Sequence, residues 1–202
     1  MKKLLLSLVA VSAFAFTTQA QTEQGKFMIG GNVELNTNKV SGAKKTDFNF
    51  AVIPSVGYFV SDNFAVGTGI GYSYAKVYNT TASIKSNAFE VSPFARAYKG
   101  ISDEFKFFGQ LSVPMTFGNT KVGDVEGNNM VKTGNNNQVG VALSPGFAFF
   151  PSKKIGIEFS VRGISYNDNR LENADGDKIG GSKNFSVGAN FFAPKLGVQF
   201  YL

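Results

Sequence analysis

From Thr46 to Lys76 the chain alternates bulky and small side chains, and the same pattern recurs along most of its length. Read at period two, Phe48, Phe50, Val52, Pro54, Val56 and Tyr58 share one face, with Asn49, Ala51, Ile53, Ser55, Gly57 and Phe59 on the other. After the tight link Val60-Ser61-Asp62-Asn63, the alternation resumes with Phe64, Val66, Thr68, Ile70, Tyr72 and Tyr74 opposite Ala65, Gly67, Gly69, Gly71 and Ser73. A soluble sheet would set lysine, glutamate and threonine against the apolar face; here the second face is mostly glycine, alanine and serine. Such a hairpin turns its bulk outward and its small residues toward a crowded or wet interior.

Eight segments follow this rule: Lys26–Thr37, the two arms of that hairpin, Asn87–Tyr98, Phe105–Gly118, Gln138–Phe150, Ile155–Tyr166 and Asn184–Leu202. Among the positions assigned to faces, the charges Glu34, Glu90, Arg96, Lys106, Glu158 and Arg162 all fall inward. A lysine or arginine facing lipid at mid-depth costs about 2 to 4 kcal/mol, so this one-sidedness is what a membrane imposes. The connections alternate in length. Val60–Asn63, Lys99–Glu104 and Pro151–Lys154 are short, while Asn38–Lys45, Val77–Ser86, Asn119–Asn137 and Asn167–Lys183 are longer. Together these features predict an all-β fold, an eight-stranded antiparallel up-and-down transmembrane β-barrel, whose even strand count closes without an exposed edge.

The last segment changes parity. Phe185, Val187, Ala189, Phe191 and Ala193 hold one face, and Leu196, Val198, Phe200 and Leu202 the other, which predicts a β-bulge at Pro194-Lys195. Pro54, Pro93, Pro145 and Pro194 each sit a few residues before the end of a segment running in the same direction, a weak internal repeat.

Targeting decides which solvent the apolar face meets. Met1–Ala20 has a basic start at Lys2 and Lys3, an apolar run to Phe16 and the small-residue pattern Thr18-Gln19-Ala20, the features of a cleaved secretory signal. Residues 1–20 are read as signal peptide and 21–202 as one barrel domain. Removing Lys2 and Lys3 takes the net charge from +6 to +4, scattered through loops rather than gathered in the basic stripe that nucleic acid requires. Phenylalanine occurs 21 times without one tryptophan, yet no apolar run after the signal reaches helical membrane length.

The segment IPSVGYFVSDNFAVGTGIGYSY, the signal ending in Ala20-Gln21 and the aromatic C-terminus LGVQFYL resemble the small outer-membrane β-barrel family of Bacteroidota, the porin-like barrels. The resemblance covers essentially the whole mature chain. It implies that Leu196, Val198, Phe200, Tyr201 and Leu202 form the signal read by the barrel-assembly machinery, with Leu202 in place of the commoner terminal phenylalanine. Enzymes built on small outer-membrane barrels resemble one another in using a histidine base. This chain has no histidine and no cysteine, and no carboxylate pair, lysine or serine stands at a catalytic spacing. No catalysis, cofactor or metal is expected.

Two regions remain as candidate sites. The inward charges Glu34, Glu90, Arg96, Lys106, Glu158 and Arg162 form either a salt-bridge network in the lumen or the lining of a narrow ion path. Arg96 is expected to meet Glu158 near the periplasmic end, and Arg162 to meet Glu90 or Glu34 above it. The polar loops 119–137 and 167–183 are candidate contacts for an extracellular ligand, although Asp168, Glu172, Asp175 and Asp177 lack calcium-loop spacing. Tyr72, Tyr74 and Tyr78 suit an interfacial girdle. The reading is a monomer in the cell outer membrane, in contact with lipid and lipopolysaccharide, with a structural, adhesive or surface-interaction role; a porin-like ion pore and a soluble secreted β-protein are the alternatives.

Overall fold

The computed structural model describes residues 21–39, 41–42, 44–188 and 195–202, so the expected signal segment and Pro194 lie outside the described residues. Eleven strand segments are present among those residues: β1 (Phe27–Asn38), β2 (Asp47–Ser61), β3 (Phe64–Tyr78), β4 (Ser83–Gly100), β5 (Phe105–Ser112), β6 (Met115–Gly123), β7 (Val131–Ser152), β8 (Ile155–Ser160), β9 (Ile164–Glu172), β10 (Lys178–Val187) and β11 (Lys195–Tyr201). They build eight antiparallel staves, because β5 with β6, β8 with β9, and β10 with β11 each continue one another along a single neighbour. The ring closes where β1 meets β11, Met28 opposite Tyr201 and Ile29 opposite Phe200.

The alternation sorts the faces as polarity and size demand. Phe89, Phe117 and Phe147 point away from the barrel at 46%, 53% and 49% exposure, whereas Met28, Phe59, Phe108 and Phe150 point inward at 3% or less. A water-filled surface would make that outward phenylalanine set unstable, and a hydrocarbon surface removes the penalty.

Proline explains why two staves are interrupted, between β5 and β6 and between β8 and β9. Val113 N–H donates to Pro93 O at 2.9 Å, Gly140 N–H to Pro114 O at 2.9 Å and Val161 N–H to Pro145 O at 3.0 Å. No proline nitrogen donates in return, so each crossing keeps half of its paired bonds. One glycine also matters to the ladder: Gly31 adopts φ 144°, and a Cβ there would fall 2.4 Å from Ile53 O. β1 stays paired with β2 through Gly31, while no paired position joins β1 to β11 above Ile29 among the described residues.

At one end the staves are joined by short turns, including Asn63 with φ 63°, a left-handed conformation that asparagine tolerates. At the other end the expected long loops are largely strand. The polar stretch 119–137 is the top of a hairpin made by β6 and β7 around residues 124–130, and 167–183 is the top of the β9–β10 hairpin around residues 173–177. Above the lipid both faces of a strand meet water. The hydrophobic alternation then disappears while the backbone ladder continues, which is why polar composition alone suggested loop. Of the last stave the structure describes β10 up to Val187 and β11 from Lys195; residues 189–194, where the bulge at Pro194-Lys195 is expected, lie outside the described residues.

Candidate functional site

Near the short-turn end the inward positions are filled. Met28, Phe59, Ala65, Tyr98, Phe108, Ala148, Phe150 and Tyr201 form one buried cluster, with ring centroids 5.9 Å apart for Phe59 and Tyr98, 5.7 Å for Tyr98 and Phe108, and 5.1 Å for Phe150 and Tyr201. An eight-stave interior is just wide enough for side chains to fill it, and here they do.

Arg96 enters this layer from β4. A guanidinium so placed is stable only if each donor finds an acceptor. Its Nη1 lies 2.7 Å from Glu158 Oε1 and 2.8 Å from Oε2, and also donates to Tyr98 Oη at 2.9 Å. Nε donates to Gln110 Oε1 at 2.8 Å, and the guanidinium carbon stands 4.4 Å from the centroid of the Phe108 ring. Glu158 receives a second donor, Tyr201 Oη at 2.9 Å, and the two phenol oxygens of Tyr98 and Tyr201 are 2.9 Å apart. The ion pair is 8% and 6% exposed at its two side chains, so it works in a low dielectric, with Nε and Nη1 of Arg96 and Oε1 of Glu158 engaged by protein partners. This layer forms a floor across the lumen.

Above the floor lies a polar cavity of about 510 Å³ lined by Glu90, Arg162, Lys195, Gln138, Asn167 and several serines. The other expected lumen charges do not converge there as a network. Among the described residues no ion pair joins Arg162 to Glu90 or to Glu34. Glu34 is exposed on the part of β1 beyond Gly31, where it accepts from Asn36 Nδ2 at 2.7 Å. Lys106 sits at the lower rim and binds Thr22 Oγ1 and, at 3.1 Å, Asn63 Oδ1, tying the approach to β1 onto the first short turn.

Tyr98 faces inward, as the alternation of its segment predicts. Two other contributors to the interior, Tyr201 and Lys195, are not assigned to it by the sequence pattern, which groups Tyr201 with the assembly residues and gives Lys195 no inward role. Parity holds the missing signal: once Leu196, Val198 and Phe200 face outward at 65%, 48% and 46% exposure, Lys195 and Tyr201 must face in. The tyrosines of β3 also divide. Tyr72 is exposed, but Tyr78 is buried, with Lys45 and Lys76 ammonium groups 5.8 Å and 5.4 Å from its ring and Gly127 packed against it. Its place is beneath the 124–130 turn instead of in a lipid-facing girdle.

The hairpin tips are fixed by side chains that imitate a backbone turn. Asp124 Oδ1 accepts the amides of Asn128 at 2.8 Å and Glu126 at 3.0 Å, and Asn173 Oδ1 accepts those of Asp177 at 2.8 Å and Asp175 at 3.0 Å. The Asn128 amide, followed by the Glu126 amide and the Asn129 side chain, holds the Asp124 carboxyl below the usual carboxylate range. Lys44 bridges to Glu126 at 3.1 Å and Lys45 donates to Glu126 O at 2.6 Å, so the first connection is strapped to this tip.

No cluster of three or more histidine, cysteine, aspartate or glutamate side chains is arranged to hold a metal among the described residues. The model of the outer membrane protein beta-barrel domain family matches residues 6–191. No curated protein matches the chain. Similar solved structures include Neisserial surface protein A, 14% identical, TM-score 0.44, with 88% of this chain and 97% of that chain covered. The outer membrane protein OprG from Pseudomonas aeruginosa is 16% identical, TM-score 0.48, with 91% and 99% covered. Ail, the attachment invasion locus protein of Yersinia pestis, is 14% identical, TM-score 0.44, with 89% and 99% covered.

Proposed function

Because the chain belongs to the outer membrane protein β-barrel domain family, we propose that it is a sealed barrel, non-catalytic and monomeric, whose work is done at the cell surface by its tall hairpins. In this reading residues 1–20 direct export and are removed, and 21–202 fold in the outer membrane with the short turns in the periplasm. The last strand, ending in Phe200, Tyr201 and Leu202, is what the assembly machinery engages. Its outward phenylalanines meet lipid, and its pattern resembles that of the porin-like barrels of Bacteroidota.

The observation that carries the reading is the floor. Arg96, Glu158, Tyr98 and Tyr201 are each at most 7% exposed and pack together across the lumen at the lower end of the polar cavity, which supports a layer closed to ions. A second support is the rigidity of the hairpin tips, where Asp124 and Asn173 pre-form the turns and so lower the entropy lost on contact with a partner. Planar-bilayer recording on the refolded barrel tests it, with the shifted mobility of unboiled protein on a gel as evidence of folding. Silence at moderate voltage is the expected result. Steady, ion-selective conductance in the unmodified protein would return the lumen charges to the role of a pore lining.

A further inference from the structure

The strand register assembles a feature that no single segment displays. Lys76 on β3 is opposite Lys85 on β4, Lys85 is opposite Lys121 on β6, and Lys121 is opposite Lys132 on β7. Four neighbouring strands thus contribute one lysine each to a single row. Directly opposed residues have Cβ atoms about 4.5 to 5.5 Å apart, and like charges so placed repel. None of the four has a carboxylate partner among the described residues, whose ion pairs are Lys44–Glu126, Arg96–Glu158, Arg170–Glu172 and Lys183–Asp168. Their visible contacts are neutral: Lys76 donates to Gly127 O at 3.1 Å, and Lys85 stands 5.3 Å from the Tyr74 ring centroid. The neighbouring hairpin is different, for Arg170 lies 2.9 Å from Glu172 and Lys183 lies 3.7 Å from Asp168.

The row's height identifies what it meets. Four residues down the same outward face the register aligns Tyr72, Phe89 and Phe117, about 13 Å along the strands, and on β4 and β6 these are the uppermost outward aromatic residues, while on β2 Phe48 reaches the height of Lys76. Midway between them runs a tier of Tyr74, Asn87, Asn119 and Asn135. Moving outward, the face passes from aromatic to amide to ammonium. A phosphorylated glycolipid presents, in the same direction, acyl chains and then a headgroup that carries sugar hydroxyls together with phosphates. From the lysine row down to Phe117 and Asn137 runs a groove of about 490 Å³, lined chiefly by Asn87, Asn119, Asn135, Lys121 and Lys132. Within it the side-chain oxygens of Asn87 and Asn119 are buried and have no hydrogen-bond donor. Unsatisfied acceptors beside unpaired cations call for a ligand that carries both hydroxyl donors and negative charge.

We propose that the row Lys76, Lys85, Lys121 and Lys132, with the asparagine tier below it, binds the phosphorylated sugar headgroup of an outer-leaflet glycolipid. The inference rests on the reading that this barrel end faces outward in the outer membrane. Phosphate oxygens relieve the repulsion along the row, and sugar hydroxyls supply donors to the asparagine oxygens after a small rotation about χ2.

The full mature chain is refolded into phosphatidylcholine vesicles alone, with a phosphorylated diglucosamine lipid, or with the same lipid dephosphorylated. Lipid retained after detergent extraction and the thermal midpoint are read, and the gel shift of unboiled protein reports the folded barrel in each case. The expected result is retention of the phosphorylated lipid with a raised midpoint, and neither with the dephosphorylated one. Joint replacement of Lys76→Gln, Lys85→Gln, Lys121→Gln and Lys132→Gln lowers retention about tenfold or more while the gel shift persists. Where that variant loses the shift, Lys121→Gln with Lys132→Gln carries the same comparison. Lys99→Gln with Lys153→Gln, at the opposite end, leaves retention unchanged. Equal retention by lysine-row variant and parent, equal retention of both lipids, or an equal midpoint rise with inorganic phosphate alone overturns the assignment to glycolipid. A parent chain without a gel shift, or one whose 124–130 turn is cut by protease only from the vesicle interior, overturns the membrane orientation instead.

Discussion

At the short-turn end one cation, Arg96, is enclosed by a carboxylate, a phenol, an amide and an aromatic face, and it is almost fully buried. At the hairpin end a row of four lysines has no anion within salt-bridge distance among the described residues. Solvent accounts for the contrast. Inside the barrel an uncompensated charge costs several kcal/mol, so the sequence must supply Glu158, Gln110 and Tyr201 together with Arg96. In the headgroup region water and counterions screen the surplus, and charge left over there is free to act on something outside the chain. The first arrangement rigidifies, and the second recruits.

The strongest test of the contrast is to strip Arg96 of its carboxylate. Glu158→Ala is expected to lower barrel stability by about 3 to 5 kcal/mol, followed by urea titration of the unboiled gel species, and Arg96→Met with Glu158→Leu to restore most of it. A loss below about 1 kcal/mol would mean that water reaches the floor, and the two ends would no longer differ in kind. A smaller change of opposite sign is expected at the other end. Lys121→Glu places a carboxylate between Lys85 and Lys132 and is expected to raise stability by about 0.2 to 1 kcal/mol in uncharged vesicles, an increment that added salt erodes. No increment at low salt would show that the row is already neutralised.

The smallest effect concerns pH. The Asp124 carboxyl is held below its ordinary 3.8 chiefly by the Asn128 amide, so folding favours the ionised form. Its contribution is complete above the ordinary value and fades only as pH falls through the lowered one. The Asn128 amide resonance, followed by NMR in detergent micelles, should therefore hold its position through the usual carboxylate titration and move at lower pH. Movement centred on 3.8 would mean that the turn is not pre-formed.

Where lipid meets the barrel, the sequence was easy to read. Phe89, Phe117, Val139 and Phe159 had to face out, and the same parity turned Arg96 and Glu158 toward one interior. The hairpin tops were harder, because strands with water on both sides keep no apolar rhythm, and 119–137 looked like loop until the ladder of β6 with β7 was seen. The lysine row was further out of reach. Between β6 and β7 the register shifts by one residue, from Thr120 opposite Gly134 to Lys121 opposite Lys132. Without that shift Lys132 would fall on the other face, and no count along the chain announces it. Tyr201 teaches a related point: its neighbours Phe200 and Leu202 drew it into an outward signal, while a single step of the pleat put its hydroxyl on Glu158.

The closing joint of the ring is short. β1 is stitched to β2 at twelve positions but, among the described residues, to the last stave at only three, Phe27 with Leu202, Met28 with Tyr201 and Ile29 with Phe200. In mechanical terms the wall is a tube with one shallow weld, and hoop tension concentrates there. Pulled or swollen, such a tube parts along that line first, and the first stave peels away as a hairpin arm still fastened to its partner.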